Sequence, residues 1–281
     1  DSAVHSAHAG DTIYIDAGTY WTADTITIET GPLKLIGADS SLTVVDFVDS
    51  TRSILTAMSQ VEIRKMHITN CCHGVYLNGA DSCVLDQVKV DASRDNALFL
   101  NDNGGADAPE NVTVNNCHVI GSRGCGLLTN RARHCTFQTI RIDSSAGNAM
   151  QLDHGAEYNL LTNCAAYGHT NSSGFSITAN AGQNNTISGC TAAVTEWYGF
   201  EIKSGRDTVT NCYATRCNRI AFLIEDCDSV IVSQNRASLG GSGYSGDSYG
   251  FRINNADTCR ITDNIAETVP CGFSFSGASW N

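Results

Sequence analysis

The chain is poor in positive charge. Its 281 residues carry 17 lysines and arginines against 29 aspartates and glutamates, a formal net charge of −12. Phosphate backbones are held by basic faces, so no nucleic-acid partner is expected. A polyanionic ligand is also repelled at long range unless a local basic patch overrides the field. Proline occurs only three times and no low-complexity linker interrupts the chain, so a single domain over residues 1–281 is expected. No apolar run is long enough to span a bilayer. Zinc-ligand spacings, a P-loop and a dinucleotide fingerprint are all missing, so neither a zinc motif nor a nucleotide cofactor is expected. Charged residues make up only 16%. Asn, Thr, Ser and Gly take their place, as on a surface of stacked strands. That composition fits an extracellular or cell-surface location.

What is present is a repeat. A glycine or alanine followed by hydrophobic, any residue, hydrophobic returns nine times, beginning at Gly74, Ala97, Gly126, Ala149, Gly174, Gly199, Ala221, Gly250 and Gly272. The steps are 23, 29, 23, 25, 25, 22, 29 and 22 residues, a solenoid period. Alternation with period two inside each copy reads as a strand. Between these glycine strands lie two further short strands separated by an Asn- or Cys-marked corner, as in Leu160-Leu161-Thr162-Asn163-Cys164. Asn suits such a corner because it tolerates the left-handed region. The fold class is therefore all-β. The expected architecture is a right-handed parallel β-helix with three strands per turn and about 22–29 residues per rung. Residues 1–50 are expected to form an N-terminal cap and first coils, and residues 51–281 the regular rungs.

Thirteen cysteines is an odd number, so they cannot all pair within one chain. Cys117, Cys164, Cys190 and Cys212 share the polar corner, while Cys83, Cys135 and Cys259 share the start of the second strand. They read as buried free thiols filling a stack. Cys71-Cys72 is a vicinal pair without metal-ligand spacing around it. The chain opens on Asp1 rather than Met, which fits a removed leader or a larger N-terminal part. It closes at Asn281 with no obvious cap, so a further segment or an oligomer contact is expected there.

The first coils, Gly10–Ile15 through Val45-Asp46, together with the repeats, resemble the right-handed β-helices of the pectate-lyase-like superfamily over nearly the whole chain. That resemblance implies chemistry on the outer face of the glycine-strand sheet near mid-length. Tyr198-Gly199-Phe200-Glu201-Ile202-Lys203 is similar to the Tyr-Gly-Phe-Asp-Pro-His motif of alginate C5-epimerases. There the Tyr and His serve as acid and base and the Asp supports them. By position Tyr198 matches the Tyr, Glu201 the Asp and Lys203 the His. The same stretch resembles the Gly-Phe-Ala-Ala-Lys segment of a pectate lyase family whose Lys is the base, and Lys203 sits at that Lys. The acidic calcium turn of those lyases is not reproduced, because Asn218 to Leu223 occupies its place.

Register supplies side-chain directions. Alternation turns two columns outward. One reads Tyr76, Phe99, Leu128, Gln151, Ser176, Glu201, Leu223, Arg252, Ser274, and the other Asn78, Asn101, Asn130, Asp153, Thr178, Lys203, Glu225, Asn254, Ser276. Their charges cluster at Asp153, Glu201, Lys203, Glu225 and Arg252. With Tyr198, these are the candidate catalytic residues, expected to converge on one groove. A lysine base needs a depressed pKa, and acidic neighbours oppose that. A carboxylate pair drawn from Asp153, Glu201 and Glu225 is the glycosidase alternative. Arg206, His154, Trp197, Tyr244 and Tyr249 are the candidate substrate-binding residues, the arginine as a carboxylate fork and the aromatics as sugar-stacking faces. His73, His118, His134 and His169 are scattered and carry no assignment. Two long turns, from Asp102 to Pro109 and from Gly240 to Tyr249, frame the face. Asp102, Asp107 and Glu110 form a candidate Ca²⁺ group, with solvated carboxylates the plainer reading. The expected partner is an oligo- or polysaccharide, and the expected function a lyase or C5-epimerase on acidic polysaccharide. The alternative is a non-catalytic β-helix such as a phage spike, adhesin or surface module. A charge ladder across outward strands would serve that reading equally.

Overall fold

In a computed structural model, which describes residues 2–102, 104, 107–169, 172–238 and 248–277, the chain winds into a parallel β-solenoid of about eleven turns. The glycine strands form one sheet of eleven strands, and the other two strands of each turn share a second sheet of twenty. The two-sheet count arises because Val61–Thr69 and Val84–Asp91 run through the corner that elsewhere separates two strands. Among the described residues the one helix is Ser2–His5, at the start of the solenoid.

The glycine strands stack in the register read from the sequence. Val75, Leu98, Leu127, Met150, Phe175, Phe200, Phe222, Phe251 and Phe273 pair one above another. Ile26 and Ile54 extend the column by two rungs at its N-terminal end. Regular stacking thus begins before residue 50, in rungs where Thr25 and Ser53 stand in the place of the small residue. The small residue elsewhere has a steric cause. A Cβ on Gly126 would stand 2.4 Å from Ile142 Cγ2 and 2.8 Å from the Ala149 carbonyl. Five phenylalanines, from Phe175 to Phe273, stack with ring centroids 4.7–4.9 Å apart and nearly parallel planes. The rung spacing of about 4.8 Å sets that distance.

The corner between the second and third strands is a column of left-handed residues. Asn116, Asn163 and Asn211 occupy it with φ of 51–53°, and Lys65, Gln87, Thr139, Gln234 and Asp263 take the same conformation. The residue after each corner points inward. This is where Cys117, Cys164, Cys190 and Cys212 are buried. Where the chain turns, backbone N–H groups face inward and need acceptors, and side chains of the next rung supply them. Asn159 Oδ1 accepts from the Cys135 N–H (3.0 Å), Asn185 Oδ1 from the Asn159 N–H (3.1 Å), and Asp207 Oδ1 from the Asn185 N–H (2.7 Å). All thirteen cysteines are free, ten of them buried. Burial pushes the Cys117, Cys135 and Cys217 thiols up to about 12, so they act as packing groups.

Candidate functional site

The outward columns place three of the expected charges in one network. The Lys203 ammonium lies 2.9 Å from Glu201 Oε1 on its own rung and 3.5 Å from Glu225 Oε2 on the next. The second oxygen of Glu201 accepts hydrogen bonds from the hydroxyls of Ser176 (3.0 Å) and Ser173 (3.3 Å). Glu225 Oε1 accepts from the side-chain amide of Asn254 at 3.0 Å. Glu201 is 13% exposed, Glu225 25% and Lys203 31%. Glu201 is therefore the most tightly held of the three.

This network decides the protonation of the lysine. Burial pulls Lys203 down, but the hydrogen bond and charge of Glu201, joined by Glu225, outweigh it and hold the ammonium above its ordinary value. A base near neutral pH needs the opposite shift. Lys203 thus lies between two carboxylates and pairs with both.

Asp153 sits apart, two rungs before Glu201. Its Oδ1 accepts from the Thr178 hydroxyl at 2.5 Å and its Oδ2 from the Gln151 amide at 3.0 Å. The rung between the two groups turns Ser176 and Thr178 outward, and their hydroxyls bond to Glu201 and Asp153 respectively. The five charges do not converge on one groove. Arg252, one rung beyond Leu223, turns its guanidinium over the Tyr249 ring at 5.5 Å. Tyr198 is half-buried with its ring 6.4 Å from that of Trp197, and no hydrogen bond joins it to Glu201 or Lys203 among the described residues.

His154 and Arg206 occupy the turns that follow the glycine strands, both with positive φ. They line two different depressions. Asp102, Asn130, Arg131, Arg133, His154 and Asn180 surround one of about 780 Å³. Lys203, Ser204, Arg206, Asp226, Asp228 and Thr258 border another of about 460 Å³. His154 stands 3.3 Å from Asp153 Oδ2, while Arg206 is exposed. Trp197 is 40% exposed, with Arg219 over its ring at 5.5 Å. Tyr244 lies outside the described residues. Asp102 pairs with Arg131 at 3.2 Å, and Asp102, Asp107 and Glu110 form no common ligand set among the described residues.

Several neutral partners escaped the charge-based reading: Gln151, Ser173, Ser176, Thr178 and Asn254. Four of them stand in the outward columns, so their register was available even though their type drew no attention. Asp207 was also missed. It is fully buried, hydrogen-bonded by Ser204, and burial pushes its carboxyl up to about 7.

A family model described as a right handed beta helix region matches residues 2–139 and again 125–281. A search of curated proteins finds no significant match. Among solved structures, the chain is similar to the catalytic domain of a GH87 alpha-1,3-glucanase variant in complex with tetrasaccharides. The TM-score is 0.65 at 13% identity, over 95% of this chain and 64% of that one. An alginate lyase from Paenibacillus sp. str. FPU-7 gives 0.65 at 15% identity, over 99% and 95%. The ORF18 protein of Geobacillus virus E2 gives 0.64 at 15% identity, over 96% and 52%. This chain thus spans about two thirds of the glucanase domain and half of the viral protein. At these identities the likeness is one of fold.

Proposed function

We propose, for a chain that belongs to the right-handed β-helix family, that it acts on a polysaccharide lying along the outward face of the eleven-stranded sheet. The glucanase and the alginate lyase that share its fold both have polysaccharide substrates by name. The chemistry best supported is glycoside hydrolysis by Glu201 and Glu225. One observation carries it: a single ammonium touches both carboxylates, at 2.9 and 3.5 Å. The shared ammonium keeps their facing oxygens below the roughly 6.5–9.5 Å range of inverting enzymes, which favours retention. Glu201, fixed by three donors, is suited to be the nucleophile. Glu225, more exposed and more loosely held, is suited to be the acid and base. Lys203 positions both. Asp153 and Gln151 are suited to sugar hydroxyls further along the face. Net charge favours a neutral glycan.

The lyase or epimerase reading places Lys203 as the base on a uronate, and the ion pairs count against it. A second reading, a non-catalytic module, draws support from the same closed network, since the ion pairs satisfy these charges internally. Under either reading the expected location is extracellular or at a cell surface. The test is a panel of neutral glucans and uronates, read by reducing-end release, by unsaturated products, and by the anomer first formed. Retention on a neutral glycan, with loss of at least about 100-fold in turnover for Glu201→Gln, is the expected result. Unsaturated products from a uronate would restore the lyase. Binding without turnover would favour the module.

A further inference from the structure

The vicinal pair Cys71-Cys72 shows no ligand spacing in the sequence, but the rung above completes one in space. Cys72 and His73 lie in the corner leading into the Val75–Asn78 strand, and Asp95 lies in the same corner one turn later. The Asp95 N–H donates to the Cys72 carbonyl at 3.0 Å, so the two residues are stacked neighbours. One ligating atom from each of Cys72, His73 and Asp95 lies within 4.8 Å of the others. The corner is about five rungs from Glu201, so it is independent of the site described above.

Each of the three residues is prepared as a ligand. His73 Nδ1 is 3.0 Å from the Asn96 carbonyl oxygen. A carbonyl only accepts, so Nδ1 carries the proton and the other ring nitrogen keeps its lone pair free. Such a carbonyl partner is how metal-bound imidazoles are commonly oriented. The ring is further held by Tyr76 and Phe99, with centroids at 5.3 and 5.2 Å, and the His73 N–H is anchored on Ser53 Oγ at 3.0 Å. The Cys72 thiol is free and half-buried, whereas its neighbour Cys71 is buried. Asp95 is exposed and gives the corner an open side.

We propose that Cys72, His73 and Asp95 bind one divalent transition-metal ion of the zinc class, with water completing its shell. The donor set selects the metal: thiolate and imidazole suit zinc, cobalt or nickel, whereas calcium and magnesium take oxygen shells. Bonds of about 2.3 Å to sulfur and 2.0–2.2 Å to nitrogen and oxygen require the three side chains to draw together. Rotation of the exposed Asp95 supplies most of that movement. Two anionic ligands and a neutral imidazole balance the charge of the ion.

Cobalt(II) titration of the chelator-treated full chain tests the site without reference to activity. One ion per chain is expected, with a thiolate-to-cobalt charge-transfer band in the near ultraviolet. Cys72→Ser should abolish the band. His73→Ala and Asp95→Asn should each keep it and weaken binding by more than about tenfold. Cys259→Ser and Cys271→Ser, at the other two half-buried thiols, should leave it unchanged. No band, or a band that survives in Cys72→Ser, overturns the proposal. Should Cys72→Ser not fold, Asp95→Asn decides, because Asp95 is exposed: unchanged affinity there and in His73→Ala overturns the site.

Discussion

Asn185 gives both its backbone N–H and its side-chain amide to one oxygen of Asp207, at 2.7 and 3.3 Å. Asp207 thus ends an inward ladder of asparagines as its one carboxyl group. Its burial raises its pKa from 3.8 to about 7, so the folded chain binds a proton that the unfolded chain releases near pH 4. Stability therefore falls as pH rises from about 4 to about 7 and levels off above that. Asp207→Asn keeps the acceptor for Asn185 and removes the buried charge. It should raise the melting temperature at pH 8, by an amount corresponding to a few kcal/mol. At pH 4 it should change little. Calorimetry of both forms at the two pH values checks this, and equal shifts at both would remove the carboxyl from the account.

Lys203 separates two carboxylates that would otherwise repel one another. Lys203→Ala should release the two carboxylates from their common partner and reduce turnover by at least about tenfold. The melting temperature should move little, because a partly exposed ion pair contributes about 1 kcal/mol or less. A variant with full activity would take the lysine out of the site.

Phe200 is sandwiched between Phe175 and Phe222 at 4.8 Å on both sides and is fully buried. Phe200→Ala should cost about 3–5 kcal/mol in urea denaturation. Phe273→Ala, at the end of the stack and 40% exposed, should cost clearly less. Equal losses would mean that the stack does not contribute through burial.

Thiol titration in denaturant without reductant should find most of the thirteen cysteines. In the folded chain, the half-buried Cys72, Cys259 and Cys271 should react first, since the buried thiols disfavour the thiolate. One free thiol or fewer in denaturant would overturn the stack-filler reading.

Period two and the 22–29-residue step made the fold legible, because each inward residue meets its own equivalent one turn later. The register from Val75 to Phe273 follows from that alone. The rungs of Ile26 and Ile54 were illegible because they carry Thr25 and Ser53 where the others carry glycine or alanine. The column position of Glu201, Lys203 and Glu225 was equally readable. What they do to one another was not, since a Lys203 base and a Lys203 ion pair have the same sequence and differ only in where the ammonium points. Asp207 was hidden for a similar reason. Corner side chains turn inward to reach backbone N–H groups, and alternation within strands says nothing about corners. The Cys72, His73 and Asp95 cluster spans two turns, so its spacing is spatial and no short motif expresses it.

The common rung height makes distances along this molecule come in whole steps. Removing residues 126–148, one complete turn, would seat Ala149 where Gly126 now stands and restore every column in phase. The corner of Cys72 and the carboxylates of Glu201 and Glu225 would each survive unaltered, one step nearer to each other. Loss of a partial turn would instead rotate everything downstream off its face. Separation between sites on this scaffold is thus an integer, adjustable by splicing and insensitive to point substitution.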